Sequence, residues 1–171
     1  QRQMCIRDRR AHRPFLADRA LELGVPFGPE RKHLVRGESI VLPDGRQIHP
    51  DDVLGPSIPG TKYVHIGDVG RTDNLLDICR DASTLVIEST YLEEEADMAR
   101  QFGHLTAAKA AQLARDAGVK TLILTHLSRR YRERDVRKEA RSIFPNTYVA
   151  RDLDHFIINR NGAERQIKNA G

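Results

Sequence analysis

From residue 61 onward the chain repeats one arrangement, a short apolar run followed by a longer stretch with apolar positions at helical spacing. Runs at 62–66, 84–87, 120–124, 147–150 and 155–158 read as strands, and segments 72–81, 92–101, 106–117 and 132–143 read as helices. Thr72 and Thr106 suit N-caps, and Gly118 suits the position just past a helix end. In the segment beginning at Thr106, Ala107, Ala110, Ala111 and Ala114 form a small-residue stripe beside Leu113, which permits close approach to a sheet. Alternation of this kind predicts the α/β class.

The upstream pattern differs. Residues 14–23 predict a short helix with Phe15, Leu16, Ala20 and Leu23 on one face and Gly24 as its stop. Segment 24–60 contains Pro26, Pro29, Pro43, Pro50, Pro56 and Pro59, so a connecting surface rather than a core is expected. One hairpin interrupts it, with arms at 39–42 and 46–48 around a Pro43-Asp44-Gly45 turn. Residues 1–10 carry four arginines and no amphipathic period, which predicts no regular element. The string Met4-Cys5-Ile6-Arg7-Asp8-Arg9 resembles translated sequencing-adapter sequence. The start is therefore expected to be a non-native leader, with native sequence continuing upstream. The remainder, 11–171, reads as one partial domain, with 11–60 as a loop-rich connection and 61–160 as the α/β part that carries the chemistry.

Composition narrows the class. The 171 residues suit a single domain, and 28 Lys plus Arg against 24 Asp plus Glu give a mildly basic net charge of +4. No apolar run approaches the ~20 residues needed to cross a bilayer, and no apolar stretch follows a basic start as in a secretion signal. Cys5 and Cys79 stand far apart without a CxxC partner, so neither a disulfide framework nor a cysteine-rich zinc site is available. A reducing, cytoplasmic setting is expected.

The informative residues follow the apolar runs. The run at 62–66 leads to Asp68, that at 84–87 to Glu88, and that at 120–124 to His126. Three strands thus deliver an acid or an imidazole at their carboxyl ends, the edge where α/β sheets collect ligands. His104 stands just before the helix that starts at Thr106, where backbone N–H groups favour anions. Each residue alone has a local explanation: a turn cap for Asp68, a solvated strand end for Glu88, a structural histidine for His126 and a helix cap for His104. A shared site accounts for all four together.

In order, these residues sit in Asp68 with Asn74-Leu75, then Glu88-Ser89-Thr90-Tyr91-Leu92, then Gly103-His104-Leu105-Thr106-Ala107-Ala108, then Leu124-Thr125-His126-Leu127-Ser128 with Arg130-Tyr131. This series resembles the ribonuclease Z family, metallo-β-lactamase-fold endonucleases that trim the 3′ end of precursor tRNA. Upstream, Leu23-Gly24-Val25-Pro26, Arg36-Gly37-Glu38 and His49-Pro50 through Pro56 look like the stretch before the aspartate motif of that family. The resemblance runs without a break over 14–158 and implies the C-terminal half of an αββα sandwich. It further implies two Zn²⁺ in the intact enzyme, with Asp68 as bridging carboxylate and His126 as a ligand. His104 would be the catalytic histidine and Glu88 its acidic partner, and precursor tRNA and a second copy of the chain would be the partners.

Departures accompany the resemblance. The family's His-x-His-x-Asp-His motif has no counterpart, since His12, His33 and His49 lack that spacing. With Asp68 and His126 alone, strong zinc binding and activity of this stretch by itself are not expected, because catalytic zinc commonly has three protein ligands. Val69, Ile87 and Leu105 stand where the family often has threonine, histidine and serine. His65, inside a strand, reads as a core or face-filling residue. Ser128, Arg130 and Tyr131 beside His126 are candidate RNA contacts, whereas the arginines beyond Arg132 read as a solvated helix face with a Glu133–Arg137 pair. Two other functions remain open: a metallo-β-lactamase-fold hydrolase of small phosphodiesters or esters, and a non-catalytic RNA-binding half-enzyme.

Overall fold

The computed structural model describes residues 4–8, as backbone, and residues 11–166. The rest of the expected leader and residues 167–171 lie outside the described residues. In chain order the elements are β1 (Met4–Asp8), α1 (Ala17–Glu22), α2 (Pro29–Val35), β2 (Ile40–Val41), β3 (Gln47–Ile48), α3 (Pro50–Val53), β4 (Lys62–Ile66), α4 (Leu76–Cys79), β5 (Thr84–Glu88), α5 (Ala96–Phe102), α6 (Ala107–Asp116), β6 (Thr121–Thr125), α7 (Glu133–Ile143), β7 (Thr147–Val149), β8 (His155–Asn159) and β9 (Gly162–Gln166). They divide into two compact units, Arg10–Gly60 and the remainder.

Unit Arg10–Gly60 corrects the expectation of a connecting surface. Ala20, Val25, Leu34, Leu42, Ile48 and Val53 form a buried cluster of their own. Prolines delimit elements here instead of preventing them: Pro29 and Pro50 occupy the first turns of α2 and α3, where a missing N–H costs nothing. The expected hairpin forms as the β2–β3 ribbon, and Gly24 ends the first helix with φ of 78°.

In the other unit, five strands form one sheet in the order β1-β4-β5-β6-β7. β4 to β7 are parallel and sequential. Right-handed crossovers between sequential parallel strands put every connecting helix on the same face. That face buries Val64, Ile66, Leu85, Ile87, Leu122, Leu124 and Val149 against α4, α6 and α7. On the opposite face the β8–β9 hairpin covers Val86 and Ile123 with Ala163, Phe156 and Ile158. The fold is thus an α/β sandwich. His65 lies exposed on the second face, tilted against Tyr63 with ring centroids 6.4 Å apart, rather than in a core.

Three further differences have physical causes. Residues Met4–Asp8, expected to be irregular, pair antiparallel with β4, because edge pairing uses backbone groups and needs no amphipathic period. The predicted helix 72–81 contracts to Leu76–Cys79: Leu75 N–H donates to Thr72 C=O, so Thr72 opens a turn instead of capping a helix. Gly162–Gln166 form a strand, β9, that carries no apolar alternation and is held by its partner β8.

Thr106 caps α6 as expected, accepting from Lys109 N–H at 3.2 Å. Ala107, Ala110, Ala111 and Ala114 are all fully buried, so the alanine stripe brings α6 directly onto the sheet and α7. Cys79 belongs to this core, and burial pushes its thiol up to about 11. No described helix is long and apolar enough to cross a membrane.

Space along the stripe is set by methyl groups, so Ala111→Leu is expected to lower the unfolding free energy by about 1–3 kcal/mol through overpacking. Urea denaturation measures it, and an unchanged midpoint would show slack in this interface.

Candidate metal centre and active site

Parallel strands in sequence order bring their carboxyl ends to one edge, and the four predicted residues meet there. Glu88 closes β5 in register with Thr125, the last residue of β6, and His126 follows directly. Asp68 follows β4 after Gly67, and His104 sits in the turn between α5 and α6.

Glu88 is fully buried. A buried carboxylate must find hydrogen-bond donors, and Glu88 takes them from three separate segments. Val69 N–H donates to Oε1 at 2.6 Å. Thr90 Oγ1 donates to Oε2 at 2.5 Å, and Leu105 N–H reaches the same oxygen at 3.2 Å. His104 Nδ1 lies 3.0 and 3.1 Å from the two oxygens, so Nδ1 carries the proton and Nε2 is the free ring nitrogen. Val69 and Leu105 serve Glu88 through their backbones while their side chains fill the core, so the departures noted at these positions leave the carboxylate's support intact.

Thr90 has a role that sequence reasoning missed. With its one hydrogen given to Glu88, the hydroxyl accepts from His126 Nδ1 at 3.0 Å. His126 Nδ1 also lies 3.3 Å from Asp68 Oδ1. With Nδ1 engaged by Thr90 and Asp68, Nε2 of His126 is left as a ligand atom. The His104 and His126 rings are 5.3 Å apart. His126 adopts φ of 54°, in the left-handed region that favours glycine.

Asp68, His104 and His126 each offer a ligand atom, and all three atoms lie within 4.8 Å of one another. One carboxylate oxygen and two imidazoles are the donor chemistry of a catalytic divalent metal site, and Glu88 and Thr90 supply the outer hydrogen bonds that fix such imidazoles. The residues present fit a metal ion. His104, expected as a catalytic group beside two ligands, thus stands near enough to the ligands to be a third.

The His104 turn is held from behind by groups that the sequence gave no sign of. Tyr91 N–H donates to Leu105 C=O at 3.1 Å, and Ala107 N–H donates to Tyr91 C=O at 2.9 Å. Thr106 Oγ1 donates to Glu93 Oε2 at 2.5 Å. Glu139, on α7, accepts from Ala108 N–H at 2.9 Å and from Glu93 N–H at 3.1 Å. Burial raises the Glu139 carboxyl above its ordinary range, and those backbone donors oppose the rise. Gly70 packs so closely on Gly103 that an added Cβ would stand 2.8 Å from its Cα, which locks the Asp68 loop against the His104 turn.

The candidate RNA contacts lie on the His126 side. Ser128 and Tyr131 line a cleft of about 550 Å³ together with His126, Arg129 and Arg151. Ser128 Oγ accepts from Arg130 N–H at 3.3 Å. Arg130 is exposed and pairs with Glu95 at 2.7 Å, while Tyr131 is half-buried against the core with its hydroxyl unpartnered. The expected Glu133–Arg137 pair forms at 3.3 Å.

Residues 18–127 match the sequence profile described as a beta-lactamase superfamily domain, which covers more than half of the chain. The chain belongs to this superfamily. A Bacillus subtilis metallo-beta-lactamase fold protein, YhfI, shares the fold at 20% identity with a TM-score of 0.50, over 66% of this chain and 44% of its own. The sequence relatives carry a particular name: a ribonuclease Z of Bradyrhizobium diazoefficiens is 48% identical over 86% of this chain and 49% of its own length. A ribonuclease Z of Archaeoglobus fulgidus is 46% identical over 77% of this chain and 44% of its own. The chain spans about half the length of the curated relatives it matches.

Glycine adopts the backbone conformation of residue 126 without steric cost, so His126→Gly should leave the unfolding free energy unchanged or raise it by up to about 1 kcal/mol. Zinc affinity, measured by competition with a chromogenic chelator, should fall at least tenfold. Lower stability would mean that the ring, and not the backbone, is what the fold relies on at this position.

Proposed function

We propose that this chain is the C-terminal, site-bearing half of a zinc-dependent endoribonuclease that removes the 3′ trailer from precursor tRNA by phosphodiester hydrolysis. The full protein acts in the cytoplasm as a homodimer. The observation that carries this reading is the convergence of Asp68, His104 and His126 over buried Glu88 in a chain 48% identical to a protein named ribonuclease Z.

In this reading Asp68 and His126 would hold the two Zn²⁺, with further ligands supplied by the remainder of the full-length protein. Bound there, the metal would supply an activated water and charge neutralisation at the phosphate. His104 acts beside it as the proton donor. Its Nδ1–H is fixed on Glu88, so Nε2 is the ring atom that takes up a proton from solvent and passes it to the departing ribose oxygen. Thr90 orients the His126 ring, and the Tyr91, Glu93 and Glu139 contacts hold the turn that presents His104. Ser128, Arg130 and Tyr131 contact the RNA backbone near the scissile bond. The Arg130–Glu95 pair is exposed and worth little, so a phosphate can replace the carboxylate.

In a full-length protein containing this chain, Asp68→Ala should abolish trailer release from precursor tRNA and lower zinc content. His104→Ala should slow the single-turnover step by about 10²–10⁴-fold and leave zinc nearly intact. Loss of zinc on removing His104 would reassign it as a ligand. Efficient hydrolysis of a chromogenic phosphodiester with no cleavage of precursor tRNA would replace the endoribonuclease reading with that of a small-diester hydrolase.

A further inference from the structure

A second cleft, of about 460 Å³, lies in the same unit and is lined by Gly70, Arg71, Thr72, Asp73, Arg100, Lys109 and Gln112. Its position is fixed by the contact already described: Gly70 stands two residues beyond Asp68 and packs on Gly103, the neighbour of His104. The first cleft begins at His126. The second cleft therefore adjoins the loops that carry Asp68 and His104, and the first includes His126 in its lining. A polynucleotide whose scissile phosphate sits at the donors has this second cleft beside it.

The lining chemistry identifies what the second cleft takes. Three cations come from three different elements: Arg71 from the loop after β4, Arg100 from α5 and Lys109 from α6. Arg71 pairs with Asp73 at 2.7 Å and Arg100 pairs with Asp97, both as exposed ion pairs. Exposed pairs contribute little and are readily exchanged for another anion. Among the described residues Lys109 makes no ion pair, although its stem is half-buried. The cleft has no aromatic lining residue on which a base could stack. Cations without a stacking platform recognise a backbone and not a sequence.

We propose that the cleft formed by Arg71, Arg100 and Lys109 binds the phosphodiester backbone of single-stranded RNA on one flank of the scissile bond. The proposal rests on the endoribonuclease reading and assigns residues that the resemblance did not. Thr72 and Gln112 line the same cleft and offer hydroxyl and amide groups to phosphate or ribose oxygens. Binding at this flank is independent of base identity and strongly sensitive to salt, because each neutralised phosphate releases condensed counterions.

The test uses the 171-residue chain and fluorescein-labelled oligouridylate and oligoadenylate of twelve nucleotides, with binding followed by anisotropy from 50 to 200 mM salt. The triple variant Arg71→Ala, Arg100→Ala, Lys109→Ala is compared with Arg36→Ala, Arg134→Ala, Lys138→Ala, which removes the same charge outside both clefts. The cleft variant should bind both oligonucleotides at least tenfold more weakly, and its log–log salt slope should be shallower by about 2, at roughly 0.7 per cation for a single strand. The control should keep its slope. Zinc uptake should be equal in all three proteins, since none of these residues is a metal donor. A cleft variant that binds RNA as the control does would overturn the cleft assignment and leave the endoribonuclease reading standing. A parent chain that binds neither oligonucleotide at 50 mM salt would overturn both. A tenfold preference for one homopolymer would overturn backbone recognition.

Discussion

A carboxylate with no access to water constrains the functional edge of this protein. Glu88 closes the central strand β5 and is fully buried, so its charge must be met by donors. Those donors arrive from the loop after β4, from the residues just past β5 and from the turn before α6. Satisfying Glu88 therefore sets the relative positions of the Asp68 loop and the His104 turn, and through Thr90 the tautomer of His126. Removal of one donor would leave a buried charge partly unmet, which is more costly than the hydrogen bond itself is worth. Glu88 thus acts on structure and chemistry at once: it ties the loops together, and it orients an imidazole.

Around that tie the fold supplies rigidity. Sequential parallel strands with right-handed crossovers place all connecting helices on one face, so the carboxyl ends of β4, β5 and β6 face a common edge with no helix in between. The alanine stripe of α6 lets that helix lie close to the sheet, and Glu139 from α7 fastens its first turn. The His104 turn is consequently anchored through Leu105 and Thr106, both fully buried. Rigid support of this kind is what a histidine needs in order to hold one geometry relative to a metal site. The left-handed backbone at His126 is the counterpart: a conformation costly to most side chains, at the residue that follows β6 directly.

The charge distribution follows the same edge. The chain as a whole is only mildly basic, at +4, yet arginines and Lys109 line the two clefts. Much of the remaining charge is absorbed locally, as in the pair of Glu133 with Arg137 on α7. Net charge therefore says less about an anionic partner than the location of cations that can exchange their carboxylates for phosphate.

What the residues determined by themselves was the α/β alternation, the Thr106 cap, the turn at Gly118 and the four polar groups at strand and helix ends, because each depends on local periodicity or capping chemistry. Local rules failed where partners came from afar. The Arg10–Gly60 unit has a core that its prolines concealed, β1 and β9 exist through pairing, and the helix after Thr72 gave way to a turn. The tertiary structure alone decided that His104 stands within ligand distance of Asp68 and His126, that Thr90 joins two rings, and that Gly70 must meet Gly103. Each of those facts concerns the meeting of segments distant in sequence, and no pattern within one segment encodes which other segment it will touch.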